Sequence, residues 1–270
     1  MNRKDIADLI IEKINKDKDT IKSMYDESVN DIGYFYIDNL LPASLADKIY
    51  HSFPNSESMK LRKSLREYKY IAAQMNQYDP ILEETIYAFQ DSRIVEAIRK
   101  ICDIKHLYPD ENLYAGGISL MKKGQFLNPH LDNSHEKDRQ KWRVLNLLYY
   151  VSPDWQSSFG GNLEIWPKGL KQQQITIDSI FNRLIVMSTH GSSWHSVSPI
   201  TEKKRRACIS NYYFSDFPLK EDDQFHVTSF RGRPEQKFRN FILQADVLFR
   251  QSIRKVFPKG AVKTDHLYKK

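Results

Sequence analysis

The sequence is poor in cysteine and contains no long apolar run. Its 270 residues include only two cysteines, Cys102 and Cys208, which excludes a disulfide framework. No segment approaches the ~18 apolar residues that a membrane-spanning helix requires. The charged amino terminus also lacks the apolar stretch of a secretory signal. These absences predict a cytoplasmic protein that does not associate with a membrane.

Linkers and repeats are missing as well. No Gly/Ser-rich linker, internal repeat or low-complexity tract divides the chain. With 40% hydrophobic residues, a chain of this length can bury a full core. We therefore expect one domain. Residues 1–112 are predicted to be a supporting region of helices and a strand, residues 113–216 the core, and residues 217–270 a helical C-terminal extension.

The positive charge is unevenly distributed. The formal net charge is +7, and beyond Asp216 twelve Lys or Arg face six Asp or Glu. Residues 60–69 are also basic, with tyrosines interleaved, as in grooves that bind nucleic acid or anionic substrates. Solvated surface explains both segments more simply. The sequence therefore disfavours nucleic acid as a partner, and residues 55–80 are predicted to be a solvated loop.

Helical periodicity appears at both ends of the chain. Apolar residues recur at helical spacing in residues 3–30, 40–53 and 80–103, with a strand predicted at residues 33–38. A further helix near the carboxyl end carries an apolar stripe, consisting of Phe238, Phe241, Ile242, Ala245, Leu248, Phe249, Ile253, Val256 and Phe257. We expect the barrel or a second copy of the chain to cover this stripe, so a homo-oligomer through this helix is one expectation.

Beyond Leu113 the pattern changes to short strands separated by turn residues. In the run from Val144 to Val151, alternation places Tyr150, Leu148, Asn146 and Val144 on one face. Both faces are mostly apolar, which predicts helices against the outer face and a ligand cavity against the inner one. The pattern indicates a mainly β protein with flanking helices, whose core is a double-stranded β-helix of the jelly-roll (cupin-like) type.

Three residues have the chemistry of a metal site. His130 and Asp132 are two positions apart, so in a strand their side chains point to the same face. His195 follows far enough along the chain for a closing strand to return beside the first. Two imidazoles and one carboxylate form the facial triad that holds non-heme Fe(II) with positions left open. We predict that these three residues are catalytic metal ligands.

A guanidinium in the strand after His195 would suit the carboxylate of a bound acid. If Arg205 faces inward, Ala207, Ile209 and Asn211 share its face, and Asn211 is a candidate substrate contact. If Arg206 faces inward instead, Cys208 and Ser210 line the pocket.

Three further residues lie close to the triad in sequence. His190 lies close to His195 in sequence, but its surroundings indicate a loop. His135 is interpreted as a histidine near the cavity mouth, and Trp194 as part of the substrate wall beside His195.

The region from Leu113 to Phe214 resembles the 2-oxoglutarate/Fe(II)-dependent dioxygenases, in particular the prolyl 4-hydroxylase-like branch. The matching blocks are His130-Leu-Asp132-Asn133, Leu148-Tyr-Tyr150-Val-Ser-Pro-Asp-Trp155, Gly160-Gly-Asn-Leu-Glu-Ile-Trp166, Phe181-Asn-Arg-Leu-Ile185, His195-Ser-Val-Ser-Pro199 and Arg205-Arg-Ala. Six ordered blocks are far more specific than a lone His-x-Asp pair.

The resemblance implies an enzyme that uses Fe(II), 2-oxoglutarate and O2, with ascorbate as a candidate reductant. It implies hydroxylation of a C–H bond with release of succinate and CO2. The spacing of the family favours Arg205 over Arg206 as the cation for 2-oxoglutarate. Tyr150 would share the same carboxylate, and Leu148 and Asn146 would line the pocket. Close relatives often have Tyr ten residues before the first histidine, where this chain has Leu120, so this part of the pocket is predicted to differ.

The resemblance leaves the substrate open between peptidyl proline, an amino acid, and a sugar or other metabolite. Two alternatives come from other functional classes. One is a jelly-roll module that binds without turnover, and the other is an oxidative demethylase of nucleic acid.

Overall fold

The computed structural model describes residues 1–256 and Tyr268. Five α-helices lie in this part of the chain: α1 (Arg3–Ser28), α2 (Ala43–His51), α3 (Pro80–Ala88), α4 (Ser92–Ile101) and α5 (Lys237–Val256). The first seven strands are β1 (Tyr34–Ile37), β2 (Lys60–Lys63), β3 (Glu67–Ala72), β4 (Tyr108–Pro109), β5 (Gly117–Met121), β6 (Phe126–Leu131) and β7 (Trp142–Tyr150). The remaining six are β8 (Leu163–Ile165), β9 (Ile175–Ile177), β10 (Arg183–Ser188), β11 (His195–Val197), β12 (Arg206–Ser215) and β13 (Ser229–Phe230).

The strands form one curled antiparallel sheet in the order β1-β10-β7-β12-β5-β3-β6-β11-β8-β9, with β2, β4 and β13 attached to β3, β12 and β6. The outer face of β7, β10 and β12 shares an apolar core with helices α1 to α4. The inner face of the same strands packs against β8 and β9. The predicted jelly-roll core with flanking helices is confirmed.

Side-chain caps set the helix boundaries. The Asn2 side chain accepts hydrogen bonds from the backbone at the start of α1, while the Asp5 side chain accepts one from the Asn2 backbone in return. The predicted single helix at residues 80–103 is two helices, because Asp91 caps a new start just after α3 ends. The Asp91 side chain accepts from the Arg93 amide at 2.9 Å.

The basic segment predicted to be a solvated loop is largely a β-hairpin. Strand β3 pairs with β2 on one side and with β5 and β6 on the other, so it belongs to the barrel sheet. Tyrosine alternates with charged residues in this segment, as it can in a β-strand. The segment is so polar that the sequence does not mark it as a strand. This hairpin brings Arg62 and Lys69 to neighbouring positions, because the two residues are register partners.

Helix α5 exists as predicted, but its apolar stripe is not the buried face. Leu243 and Val247 contact the body of the protein and are 2% and 3% exposed. The stripe members Phe238, Phe241, Leu248 and Phe249 are 78%, 71%, 66% and 67% exposed. The face that packs on the protein consists of the two buried apolar residues and Asp246, which pairs with Arg66, so the barrel does not cover the exposed phenylalanine and leucine side chains. Phe257 lies outside the described residues, and the homo-oligomer stays a prediction.

The sheet takes strands from all three predicted segments of the chain, from β1 through β13. The proposed boundaries after residues 112 and 216 stay a prediction. Within the described residues, no helix is both long and apolar enough to cross a membrane.

Candidate active site

The three predicted metal ligands meet at the junction of two neighbouring strands. His130 in β6 is the register partner of His195 in β11, and their ring centroids are 4.1 Å apart. Asp132 follows β6 directly, and its carboxylate lies 3.6 Å from the Nε2 atom of each imidazole. The ligand atoms of all three residues lie within 4.8 Å of one another. Such a cluster of two imidazoles and a carboxylate has the donor set that Fe(II) takes in a facial triad.

Backbone carbonyls fix the orientation of both imidazoles. Nδ1 of His130 is 2.9 Å from the carbonyl oxygen of Asn128, and Nδ1 of His195 is 3.0 Å from that of Ser193. A carbonyl accepts only, so each Nδ1 carries the proton and donates it. The lone pair of each imidazole is therefore on Nε2, the nitrogen that faces Asp132.

The electrostatics keep the ligands in the protonation state that a cation needs. Burial, together with the neighbouring His195, lowers the pKa of His130 to about 3, so its imidazole is neutral. Burial alone would raise the pKa of Asp132, but Arg143 and both imidazoles outweigh burial. The pKa of Asp132 therefore falls below its ordinary value, and the carboxylate is ionised. His130 and Asp132 are therefore in the protonation states that a divalent metal requires.

A β-bulge brings in Arg143, a site residue that the sequence did not reveal. Tyr213 pairs with Leu145, but the next residue of β12, Phe214, pairs with Arg143, so Val144 is an extra residue on β7. Val144 consequently joins the outer core, contrary to the prediction that it faces inward. The Arg143 guanidinium lies 3.4 Å from the Asp132 carboxylate. Strict alternation of inward and outward side chains could not predict the inward position of Arg143. The extra residue in a bulge reverses which of the following residues face inward.

Asn146, Leu148 and Tyr150, the other β7 residues predicted to face inward, do face inward in the structure. Asn146 donates a hydrogen bond from Nδ2 to the Asp132 carboxylate at 2.7 Å. Tyr150 and Leu148 belong to the inner apolar cluster with Cys208. Asn146 thus lies beside the metal ligands, and Tyr150 lies deeper in the barrel.

The predicted orientation of Arg205 is wrong. Arg205 precedes β12, and its guanidinium lies over the Tyr50 ring of α2, 4.8 Å from the centroid. Arg206 is the inward residue and is only 3% exposed. The register explains this, because Cys208 pairs directly with the inward Tyr150 and residues two apart share a face. Sequence spacing alone could not fix that register.

Arg206 and Tyr150 form an incompletely satisfied polar pair inside the barrel. The Arg206 guanidinium lies 5.1 Å from the Tyr150 ring centroid and donates to the Gly161 carbonyl at 2.8 Å. Among the described residues, neither Arg206 Nε nor the Tyr150 hydroxyl has a hydrogen-bond partner. Burial raises the pKa of Tyr150, so its hydroxyl remains a donor. Two unpaired buried donors fit the carboxylate of a bound acid.

Gly161 makes room for Arg206. Its φ is +70°, and a Cβ at this position would lie 2.8 Å from Cδ of Arg206. The Gly160-Gly161 turn is therefore needed both for its backbone conformation and for the space that the guanidinium occupies.

Several other predicted contacts lie elsewhere. Leu120 and Asn211 are not on the cavity side: Leu120 joins the outer core, and the Asn211 side chain lies beside Gln90. The Leu120 substitution therefore does not alter the inner face of the barrel. Trp194 packs beside Arg231, and His190 is held by backbone and serine groups away from the metal cluster. His135 lines the cavity next to Asn133, as predicted for its position.

The C-terminal segment contributes to the site, which the sequence did not indicate. Strand β13 pairs with β6, and the Phe230 ring stacks on His130 with centroids 5.0 Å apart. Arg233, which follows β13, donates a hydrogen bond to the buried carboxylate of Glu164 in β8 at 2.7 Å. The sequence predicts only a helical extension here, because a two-residue strand has no detectable period.

Residues 116–214 match the 2OG-Fe(II) oxygenase superfamily. A prolyl-4-hydroxylase from Pseudomonas putida is similar in structure at 16% identity and a TM-score of 0.54, with 72% of this chain and 97% of that chain covered. A prolyl 4-hydroxylase from Phytophthora capsici gives a TM-score of 0.55 at 16% identity, covering 91% of this chain and 75% of that one. The α-ketoglutarate-dependent epimerase SnoN of nogalamycin biosynthesis gives 0.52 at 12% identity, with 76% and 86% covered. No curated protein sequence matches.

Proposed function

We propose that the chain is a 2-oxoglutarate-dependent dioxygenase that hydroxylates an unactivated C–H bond, with release of succinate and CO2, because residues 116–214 match the 2OG-Fe(II) oxygenase superfamily. The observation that carries the proposal is the convergence of His130, Asp132 and His195, whose ligand atoms lie within 4.8 Å of one another. Their lone pairs and charges suit Fe(II), and a cavity opens directly in front of them.

In this proposal His130, Asp132 and His195 hold the metal. Fe(II), with 2-oxoglutarate and dioxygen, supplies the oxidising chemistry when bound. The two backbone carbonyls behind the imidazoles keep each Nε2 aimed at the metal position. Asn146 and Arg143 hold the carboxylate of Asp132 and oppose its protonation. These contacts limit the movement of the ligands, which keeps the open metal positions directed at the cavity.

Arg206, in place of Arg205, is the proposed cation for the distal carboxylate of 2-oxoglutarate. Its Nε and the Tyr150 hydroxyl are buried donors without a partner among the described residues. A carboxylate between them would accept both hydrogen bonds and neutralise a buried charge. Leu148 lies in the same inner cluster and would exclude water from this carboxylate.

The test is anaerobic reconstitution with Fe(II) followed by 2-oxoglutarate, monitored by the visible charge-transfer band of the chelate. Wild-type protein should form the band, and His130→Ala should not. Arg206→Gln should raise the 2-oxoglutarate concentration for half-saturation about 10–100-fold, because a charge-assisted hydrogen bond contributes about 1.5–3 kcal/mol.

Arg205→Gln is the matched control, since it removes the adjacent guanidinium outside the barrel. Its 2-oxoglutarate concentration for half-saturation should equal that of wild type. A band that is lost in Arg205→Gln and kept in Arg206→Gln would return the role to Arg205. No band in folded, metal-loaded wild-type protein would leave the binding-module alternative.

We propose a peptide or small molecule as the substrate, with prolyl-type hydroxylation suggested by the fold shared with the two prolyl 4-hydroxylases. We also propose a reducing, cytoplasmic location, with which the two buried free thiols are compatible. A nucleic-acid demethylase would require oligonucleotide binding that weakens steeply with salt.

A further inference from the structure

The cavity in front of the metal ligands has a volume of about 680 Å³. Its walls are the β2–β3 hairpin, strands β5 and β12, residues 227–230 and one face of α5. Its volume lies in the range of sites that enclose a small molecule. His130 and Asp132 are among its lining residues, so a molecule bound here would face the metal position.

The charge of the cavity is unbalanced. Its cationic lining residues are Arg62, Arg66, Lys69, Arg143 and Arg250. Three carboxylates oppose them: Glu67 lies 3.1 Å from Lys69, Asp132 pairs with Arg143, and Asp246 is shared by Arg66 and Arg250. Two positive charges therefore remain without a carboxylate. Bound Fe(II) and doubly ionised 2-oxoglutarate would cancel each other and leave this excess unchanged.

The uncompensated charges are Arg62 and one guanidinium of the Arg66–Arg250 pair. Among the described residues, Arg62 forms no ion pair, and Nη2 of Arg250 is buried without a hydrogen-bond partner. Burial and the charge of Arg66 lower the pKa of Arg250, as expected for two guanidinium groups that share one carboxylate. Partly buried guanidinium groups that lack a carboxylate of their own are stabilised by an anion.

Lys69 connects this charge to the metal end of the cavity. It is the register partner of Arg62, and its ammonium group contributes to lowering the pKa of His130. The positive charge therefore extends from the metal ligands along the hairpin toward α5. Arg62 and Arg250 line the same cavity as His130 and Asp132, so one bound molecule could present an anionic group to the two guanidinium groups and a reacting carbon to the metal position.

We propose that this cavity binds a small-molecule substrate that carries a phosphoryl group, held by Arg62, Arg66 and Arg250. A phosphoryl group has a charge of about −1.5 to −2 at neutral pH, which matches the excess of two positive charges. Guanidinium groups also match its oxygens in a bidentate geometry. A single carboxylate would leave one charge unbalanced. The inference rests on the proposed function, because hydroxylation of the substrate requires the metal site.

The test measures the binding of inorganic phosphate by equilibrium dialysis to protein loaded with Fe(II) and saturating 2-oxoglutarate under nitrogen. Saturation with 2-oxoglutarate keeps phosphate from Arg206. Arg62→Gln and Arg250→Gln should each weaken phosphate binding about tenfold, in line with the loss of one charge-assisted contact. Arg99→Gln is the matched control, because Arg99 pairs with Glu96 on α4 and does not line the cavity.

Arg62→Gln breaks no ion pair, so a folding defect would not explain its effect. Equal phosphate binding by wild type, Arg62→Gln and Arg99→Gln would overturn the inference, as would no binding. A single-stranded oligonucleotide that bound far more tightly than phosphate, with steep salt dependence, would also overturn it in favour of nucleic acid. The charge-transfer band is recorded on the same samples. If the band forms without phosphate binding, only the inference fails; if phosphate binds without the band, the proposed function fails.

Discussion

At the scale of single residues, the Asp132 carboxylate is the most constrained group of the site. The amide of Asn146 donates to one of its oxygens, and the Arg143 guanidinium lies 3.4 Å from the same oxygen. Both partners come from β7, the neighbour of β12, and reach across the barrel to a ligand that follows β6. The metal site therefore depends on residues that do not themselves touch the metal position.

Asn146→Ala is expected to weaken Fe(II) binding about 10–100-fold, the usual cost of removing a hydrogen bond behind a metal ligand. Titration of metal-free protein with Fe(II) under nitrogen measures this. Asn211→Ala is the control, because Asn211 lies beside Gln90 on the outer side. Equal Fe(II) affinity in Asn146→Ala and wild type would contradict an orienting role for Asn146.

His190 should make stability depend on pH. Burial, followed by the charge of Lys220, lowers its folded-state pKa to about 4, below the unfolded value of about 6.5. Between these values the unfolded chain binds a proton that the folded protein does not. Stability is therefore lost as pH falls from about 6.5 towards 4. At pH 5 the expected loss is about 2 kcal/mol relative to neutral pH.

Urea unfolding of wild type and His190→Gln at pH 7.5 and 5.0 tests this expectation. The variant should lose less stability on acidification than wild type, by about 2 kcal/mol. Parallel losses in the two proteins would show that His190 does not titrate in this window.

The sequence was sufficient to predict which residue types meet at the metal position. His130, Asp132 and His195 carry chemistry that few other residues have, so their types and spacing were informative. The choice between Arg205 and Arg206 was different, because both carry the same charge. Only the pairing of Cys208 with Tyr150 decides which of them faces inward, and register depends on the folded sheet.

At the scale of elements, a buried ion pair strengthens the attachment of the C-terminal segment to the barrel, in addition to the pairing of β13 with β6. Nη2 of Arg233 donates to the Glu164 carboxylate at 2.7 Å and to the Val197 carbonyl at 3.1 Å. The same carboxylate accepts from Ser196, whose hydroxyl accepts from Trp166. The network joins the loop after β13 to β8 and β11, the strands beside His195.

Arg233→Met is expected to cost about 3–5 kcal/mol, because it leaves the Glu164 carboxylate buried without its cation. Denaturant unfolding measures the loss. Arg233→Met combined with Glu164→Gln should recover part of it, since the second change removes the unpaired charge. A double variant that is less stable than Arg233→Met would show that the buried charge is not the cause.

Most elements could be predicted from periodicity, and the exceptions share a cause. Helix α5 and most of the strands from β5 to β12 follow simple apolar patterns. The β2–β3 hairpin and β13 were missed because their strands alternate polar residues or contain only two residues. The bulge at Val144 was missed because an extra residue leaves no trace in composition.

At the scale of the whole molecule, metal binding should stabilise the fold. The ligands come from β6, the residue directly after β6, and β11, so a bound ion connects β6 to β11. At a metal concentration of 100 times the Kd, the expected gain is about 2.7 kcal/mol. Thermal unfolding under nitrogen, with Fe(II) and again after a chelator is added, measures it.

His130→Ala should unfold at the same temperature with and without Fe(II), because it lacks one ligand. A chelator effect of equal size in His130→Ala would assign the stabilisation to metal bound elsewhere.

The stacking of Phe230 on His130 has a consequence for the order in which the protein is made. Every other strand precedes residue 216, so a ribosome has already synthesised all three metal ligands when β13 is still to come. Until Ser229 and Phe230 pair with β6, the imidazole of His130 lacks its aromatic cover, and the cavity lacks the wall that α5 provides. The metal ligands of a nascent chain are therefore more exposed than those of the finished protein, in which Phe230 and α5 form part of the cavity wall.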